Sequence, residues 1–165
     1  MTDTPWLDDA QLAAWVRLFA LVELLPGTLD SQMRRDAGIT QFDYYVLAML
    51  SEAPEATLRM TSLAQLTNST LARLSHVVQR LEQRGLVERH PCPEDRRATN
   101  ARLTEAGKET VARAAPGHVA TVRQHVIDAL TPEQVAQLTT ILDAVLVRLD
   151  PEDRMGAMYK RYDVN

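Results

Sequence analysis

Eight arginines, Arg59, Arg73, Arg80, Arg84, Arg89, Arg96, Arg97 and Arg102, fall between residues 57 and 102, against four acids, Glu82, Glu88, Glu94 and Asp95. A guanidinium stays charged, and its planar fork of N–H donors matches a phosphate or a guanine edge, so this concentration is chemistry for a polyanion. The segment has a balance of +4 and the rest of the chain −8, within a net charge of −4. An acidic total thus conceals a local basic field. Sixteen of the eighteen basic residues are arginine, which suits such contacts, although GC-rich codon usage gives the same bias.

Other chemistries have less support. Cys92 is the one cysteine in 165 residues, which excludes an internal disulfide and a Cys-rich zinc site. Its basic neighbours Arg89 and His90 favour a reactive thiolate, so a redox response through Cys92 is an alternative reading. His118 and His125 lie seven residues apart on one helical face, but without a nearby Cys or a third ligand they read as surface histidines. There is no Gly-rich phosphate loop, nucleophile elbow or metal-binding His-Glu motif, so neither catalysis nor a metal or cofactor is expected. No unbroken apolar run reaches the roughly 18 to 20 residues of a membrane span, and the start lacks signal-peptide character. A cytoplasmic protein without a membrane partner is expected.

Only 5% of the residues are aromatic, and Ala and Leu recur at intervals of three and four, so the chain reads mainly helical. Leu12, Trp15, Val16, Phe19, Val22, Leu25, Leu29 and Met33 form a stripe over residues 8–36, which Pro26-Gly27 should kink or break and Gly38 should close. Thr40 with Asp43 signals a capping box for a helix ending near residue 53. Thr57-Leu58-Arg59-Met60 reads as a brief strand, and Thr61 or Ser62 as the cap of a two-turn helix. Thr67-Asn68-Ser69-Thr70 supplies a turn and a second cap.

In the next helix Leu71, Leu74, Val77, Val78 and Leu81 fall within about a 120° arc at 100° per residue. Its opposite face centres on Ala72, His76, Gln79 and Gln83, with Ser69, Arg73 and Arg80 beside them, and Gly85 caps its end. Residues 86–90 and 98–103 read as strands around a proline-containing tip, a long-tipped β-hairpin. Thr104 caps a helix expected to continue through Pro116-Gly117 with a kink to about residue 130. Thr131-Pro132-Glu133-Gln134 starts another, with Val135, Leu138, Leu142, Val145 and Leu149 as its stripe. Residues 150–165 form a short helix or a frayed tail.

A short helix, a tight turn, a longer helix with a polar face and a basic hairpin follow the order of a winged helix-turn-helix. Arg73, His76 and Gln79 can then reach base edges or phosphates in the major groove, and Arg80 and Arg84 suit phosphates. Arg96 and Arg97 at the hairpin tip can enter the minor groove. DNA would repel Asp95, whose expected task is to hold an arginine or the tip backbone.

Thr40-Gln41-Phe42, Met60-Thr61-Ser62-Leu63-Ala64, Leu81-Glu82-Gln83-Arg84-Gly85-Leu86-Val87-Glu88-Arg89, Pro93-Glu94-Asp95-Arg96-Arg97-Ala98 and Leu103-Thr104-Glu105-Ala106-Gly107 resemble, in order and spacing, the successive signatures of MarR-type transcriptional regulators. The resemblance implies a mainly α, winged helix-turn-helix homodimer that represses transcription from a pseudo-palindromic operator in double-stranded DNA. It divides the chain into an N-terminal dimerisation region (1–39), a DNA-binding lobe (40–103) and C-terminal dimerisation helices (104–165). Thr70, Arg73, Ser75 and His76 fall where members contact DNA, and Asp95 and Arg97 match an Asp-x-Arg wing motif. Leu71 and Ala72 depart from the basic and small hydroxyl residues that many members carry, so base contacts there are thinner or shifted. A small-molecule effector pocket, with Trp15, Phe42 and Tyr45 as candidate lining and Tyr44 nearby, is also implied; plain core packing is the competing reading. A winged-helix protein-interaction module is the alternative function, which salt dependence would separate from DNA binding.

Overall fold

The computed structural model describes residues 4–93 and 95–162 and shows a mostly helical chain with a three-stranded antiparallel sheet. Glu94, counted above among the acids of the basic segment, lies outside the described residues, as do residues 1–3 and 163–165. Asp8 opens the first helix, α1 (Asp9–Ala37): its carboxylate accepts from the Gln11 N–H at 2.8 Å, and Gln11 Oε1 accepts from the Asp8 N–H at 3.1 Å. Two donors that a helix start would leave orphaned are thereby satisfied. Gly38, at φ +64°, closes the helix in the left-handed conformation. Contrary to the expectation from Pro26-Gly27, α1 runs through both residues without a break. Proline removes one ladder bond and crowds the preceding turn, but here its ring is exposed, and the turns beyond it are anchored by Met33 in the core.

The capping box of α2 (Gln41–Ser51) forms between Thr40 and Asp43, at 2.9 Å in each direction. β1 (Thr57–Arg59) then passes directly into α3 (Met60–Leu66). Neither Thr61 nor Ser62 caps α3, because the last strand residue, Arg59, already occupies the N-cap position. After α4 (Leu71–Gln83) come β2 (Val87–Pro91), β3 (Thr99–Leu103), α5 (Glu105–His125), α6 (Pro132–Leu149) and the single turn α7 (Gly156–Tyr159). α5 continues through Pro116 but stops at His125, short of residue 130, and a 3-10 turn, Ile127–Ala129, follows.

The sheet order is β1-β3-β2, with Leu58 opposite Ala101 and Val87 opposite Leu103. Beneath it, Leu47 and Leu50 of α2, Leu63 of α3, and Leu74, Val78 and Leu81 of α4 build the core, and Met33 and Ala114 reach in from α1 and α5. The start of α5 is fastened to the end of the α4 segment. Thr104 N–H donates to Leu86 O at 3.1 Å and Thr104 Oγ1 donates to Gly85 O at 2.7 Å, where Gly85 turns the chain at φ +71°. One turn on, a Cβ at Gly107 would lie 2.2 Å from Leu86 O and 2.5 Å from Leu103 Cδ1.

Most of α1 and all of α6 lack a covering layer. Leu12, Trp15, Val16, Phe19, Val22 and Leu24 are exposed on α1, as are Ile141, Leu142, Val145, Val147 and Leu149 on α6, which buries no residue at all. By length and composition alone α1 is apolar enough to cross a bilayer. Arg17 and Glu23 interrupt the stretch, so its apolar character is not visible as a continuous run. Contiguous exposed apolar faces of this kind mark interaction surfaces.

The closeness at Gly107 yields a stability test. Gly107→Ala should destabilise by about 1–3 kcal/mol, because backbone and a packed leucine must move aside. Gly27→Ala, where a Cβ meets nothing within 4 Å, should stabilise by up to about 1 kcal/mol through helix propensity. Urea-unfolding midpoints of the two variants should shift in opposite directions.

Candidate nucleic-acid interface

The turn between α3 and α4 is held by its own backbone: Ser69 N–H donates to Ala64 O at 2.9 Å, and Asn68 adopts φ +46°. Thr70 then caps α4, its Oγ1 accepting from the Arg73 N–H at 3.2 Å. Burial of Leu74, Val77, Val78 and Leu81 fixes the rotation of the helix. Ala72, Arg73, His76, Gln79 and Arg80 are consequently left exposed, with Ser75 half-buried at the edge and Ser69 in the turn before it; Leu71, which its spacing places in the apolar arc, is exposed as well at the first position of the helix.

The hairpin tip is similarly organised from within. Ala98 N–H donates to Asp95 O, and Cys92 N–H to Ala98 O, each at 2.9 Å; the Asp95 carboxylate accepts from the Arg97 N–H at 3.0 Å. Of the two tasks expected of Asp95, this is the holding of the tip backbone. It leaves the Arg96 and Arg97 side chains exposed, with no acidic partner among the described residues. A crevice of about 240 Å³ separates the wing from α4, and Arg97 borders it together with Leu71 and Ser75. The structure thus brings tip and helix residues more than twenty positions apart to one surface.

Four other arginines of the basic segment are engaged within the lobe, and Arg59, at the start of α3, is exposed. Arg80, read from the sequence as a phosphate ligand, is half-exposed and pairs with Asp43, a carboxylate only 2% exposed at the start of α2. Burial of an acid demands a partner, and the outer edge of α4 supplies it. Arg84 likewise donates to Gly38 O at 3.2 Å, across the closing turn of α1. Arg89 grips Glu82 through side chain and backbone N–H at 2.7–3.0 Å, which holds the Glu82 carboxyl below the usual carboxylate range. Arg102 pairs with Glu88 at 2.6 Å on the sheet. Two acids of the segment, Glu82 and Glu88, are in this way neutralised from inside.

Arg73 stacks over the Phe42 ring, 4.3 Å from its centroid, a cation–π contact. Arg73, Phe42 and Tyr45 line a cavity of about 440 Å³ whose other walls include Pro26, Asp30 and Gln41. Asp30 accepts from Arg34 and from the Gln41 N–H, and these bonds lower its pKa. Burial pushes the Tyr45 phenol up to about 12, and its hydroxyl donates to Leu66 O at 2.6 Å, at the end of α3. Trp15 does not join this cavity. It lies some three turns towards the N-terminus of α1, against Phe19 on the exposed face. Asp30, Gln41 and the Asp43–Arg80 pair had no functional signal in the sequence beyond the Thr40 cap. Their partners come from other helices.

Cys92 is 2% exposed beneath the wing, which works against rapid oxidation from solvent. His118 packs against Tyr44 at 4.9 Å between ring centroids, not beside His125, and no group of three metal-ligating side chains occurs among the described residues.

Residues 37–98 match the model of the MarR family. Sco3205 of Streptomyces coelicolor, a MarR family transcriptional regulator crystallised in complex with DNA, is 42% identical, covering 93% of this chain and 96% of its own, with a TM-score of 0.87. The chain belongs to the MarR family. AbsC, another MarR family transcriptional regulator from S. coelicolor, is 39% identical over 90% of this chain and 99% of its own, with a TM-score of 0.85. A mutant MarR from E. coli complexed with operator DNA is 25% identical over 81% and 96%, with a TM-score of 0.68. This MarR-family chain is a transcriptional regulator with the winged helix-turn-helix fold expected from its sequence.

Two measurements follow from this geometry. Arg80→Ala strands the buried Asp43 carboxylate and should destabilise the fold by about 3 kcal/mol, while Arg84→Ala, at an exposed site, should cost less than about 1 kcal/mol; denaturant midpoints decide. Burial also holds the His118 imidazole below the usual histidine range, so the unfolded chain takes up a proton that the folded one resists. Stability should therefore fall as pH drops below about 6.5. His118→Gln should flatten that slope between pH 7 and pH 5.5.

Proposed function

We propose that this chain is a cytoplasmic, homodimeric repressor that binds a pseudo-palindromic operator in double-stranded DNA and is released by a small-molecule effector. The carrying observation is the shared surface on which Leu71 and Ser75 of α4 and Arg97 of the wing tip border one crevice, while Asp43 and Glu82 are tied to arginines of the lobe. In this reading α4 lies in the major groove, where Ser69, Thr70, Arg73, Ser75, His76 and Gln79 meet base edges and phosphates. Arg97, its backbone steadied by Asp95, enters the minor groove with Arg96 beside it. The DNA complexes of Sco3205 and of E. coli MarR support the same partner for this chain.

Dimerisation is supported by the uncovered apolar faces of α1 and α6, which a second copy would bury around a two-fold axis. Such a dimer would place two recognition helices about one turn of DNA apart. The effector reading rests on the cavity walled by Phe42, Tyr45 and Arg73. Since Arg73 belongs to both the cavity and the outer face of α4, a ligand stacking in its place against Phe42 would favour a different arrangement of the helix. The mechanism is a shift of population between DNA-competent and incompetent states.

The test is binding to the DNA upstream of the protein's own gene, against a scrambled duplex, at two salt concentrations. Specific binding that weakens steeply with salt is expected. Arg97→Ala should lower affinity about tenfold and reduce the salt slope by about one per protomer, with the dimer intact by sedimentation. Wild-type affinity in that variant refutes the wing assignment, and salt-insensitive association would favour the protein-interaction module.

A further inference from the structure

Leu71, the first residue of α4, is 49% exposed, and among the described residues it is the one large hydrophobic side chain left exposed between Leu24 and Val119. That interval contains the whole winged lobe. The lobe buries its other large apolar side chains at least in part, so a half-exposed leucine here stands on its DNA-facing side and nowhere else. Leu71 borders the crevice with Ser75 and Arg97, and its neighbour Ala72 is exposed and short. Neither side chain has a donor for phosphate.

When a recognition helix docks, its N-terminal residues are those that contact base edges. The apolar group displayed in the major groove is the C5 methyl of thymine. We propose that Leu71 is a specificity-determining residue that selects thymine in each operator half-site by packing on that methyl, with Ala72 allowing the backbone close approach. The proposal rests on the DNA-binding reading above. Arginine and hydroxyl contacts around it set position, and Leu71 adds base identity through desolvation of two apolar groups that otherwise face water.

The experiment starts with in vitro selection of duplexes from a random pool by the full-length wild-type protein. Each thymine of the selected half-sites is then replaced in turn by uracil, which lacks the methyl and keeps every hydrogen-bonding group. Wild-type affinity should fall about fourfold per half-site at one fixed position, the effect of losing one buried methyl, and about fifteenfold with both half-sites substituted. Leu71→Ala should bind thymine and uracil duplexes equally at that position, and Leu71→Gln, of similar length but polar, should do the same. Uracil tolerance at every position in the wild type overturns the proposal, and this arm needs no variant to fold. Undiminished discrimination in folded Leu71→Ala also overturns it. Enrichment of no sequence by the wild type refutes the DNA-binding reading itself, which separates that failure from a failure of Leu71.

Discussion

A carboxylate that is almost entirely buried, Asp43, ties together the start of α2 and the outer edge of α4. Its oxygens accept from the Thr40 N–H and from Arg80, so one side chain both caps a helix and fixes a second helix against the first. An acid in this position is tolerated only with its partners in place. The apolar stripe of α4 sets how the helix is rotated, and the ion pair sets where along α2 that helix sits. Every residue proposed to meet DNA from α4 inherits its direction from these two constraints.

The same economy governs the other charges. Arg84, Arg89 and Arg102 are spent on Gly38, Glu82 and Glu88, and these contacts bind α1, α4 and the sheet into one lobe. What then projects is a smaller set than the composition suggests: the polar face of α4, Arg59, and Arg96 and Arg97 on a tip whose backbone is braced by Asp95. An acidic protein can in this way present a basic working surface, since Glu82 and Glu88 are already neutralised within the lobe.

Arg73 occupies the junction between two readings of the protein. Its guanidinium covers Phe42 at the mouth of a cavity, and its helix is the one turned outward. Tyr45, in the same cavity, hydrogen-bonds the end of α3 at Leu66. A change in the cavity therefore has two direct mechanical routes to the helix-turn-helix. The uncovered faces of α1 and α6 lie outside this lobe and give the molecule a separate surface for association.

Local chemistry was legible in the chain. Capping residues Thr40, Thr70, Thr104 and Thr131 each act through hydrogen bonds to residues three positions away, and such short-range bonds can be read from spacing. Apart from Leu71, the buried and exposed faces of α4 were determined on the same scale, as were the hairpin and the glycine turns at Gly38 and Gly85. Continuity of α1 through Pro26 was not, because the propensity cost of one proline is overridden by packing at Met33. The partners of Arg80 and Arg73 lie 37 and 31 residues away, and no periodicity relates them. Only the packing of α1, α2 and α4 decided that one arginine would hold a buried acid and another would cover a cavity, and only the placement of α4 beside α3 and the wing left a leucine facing outward. A side chain's role depends on what the folded chain brings within a few ångströms of it.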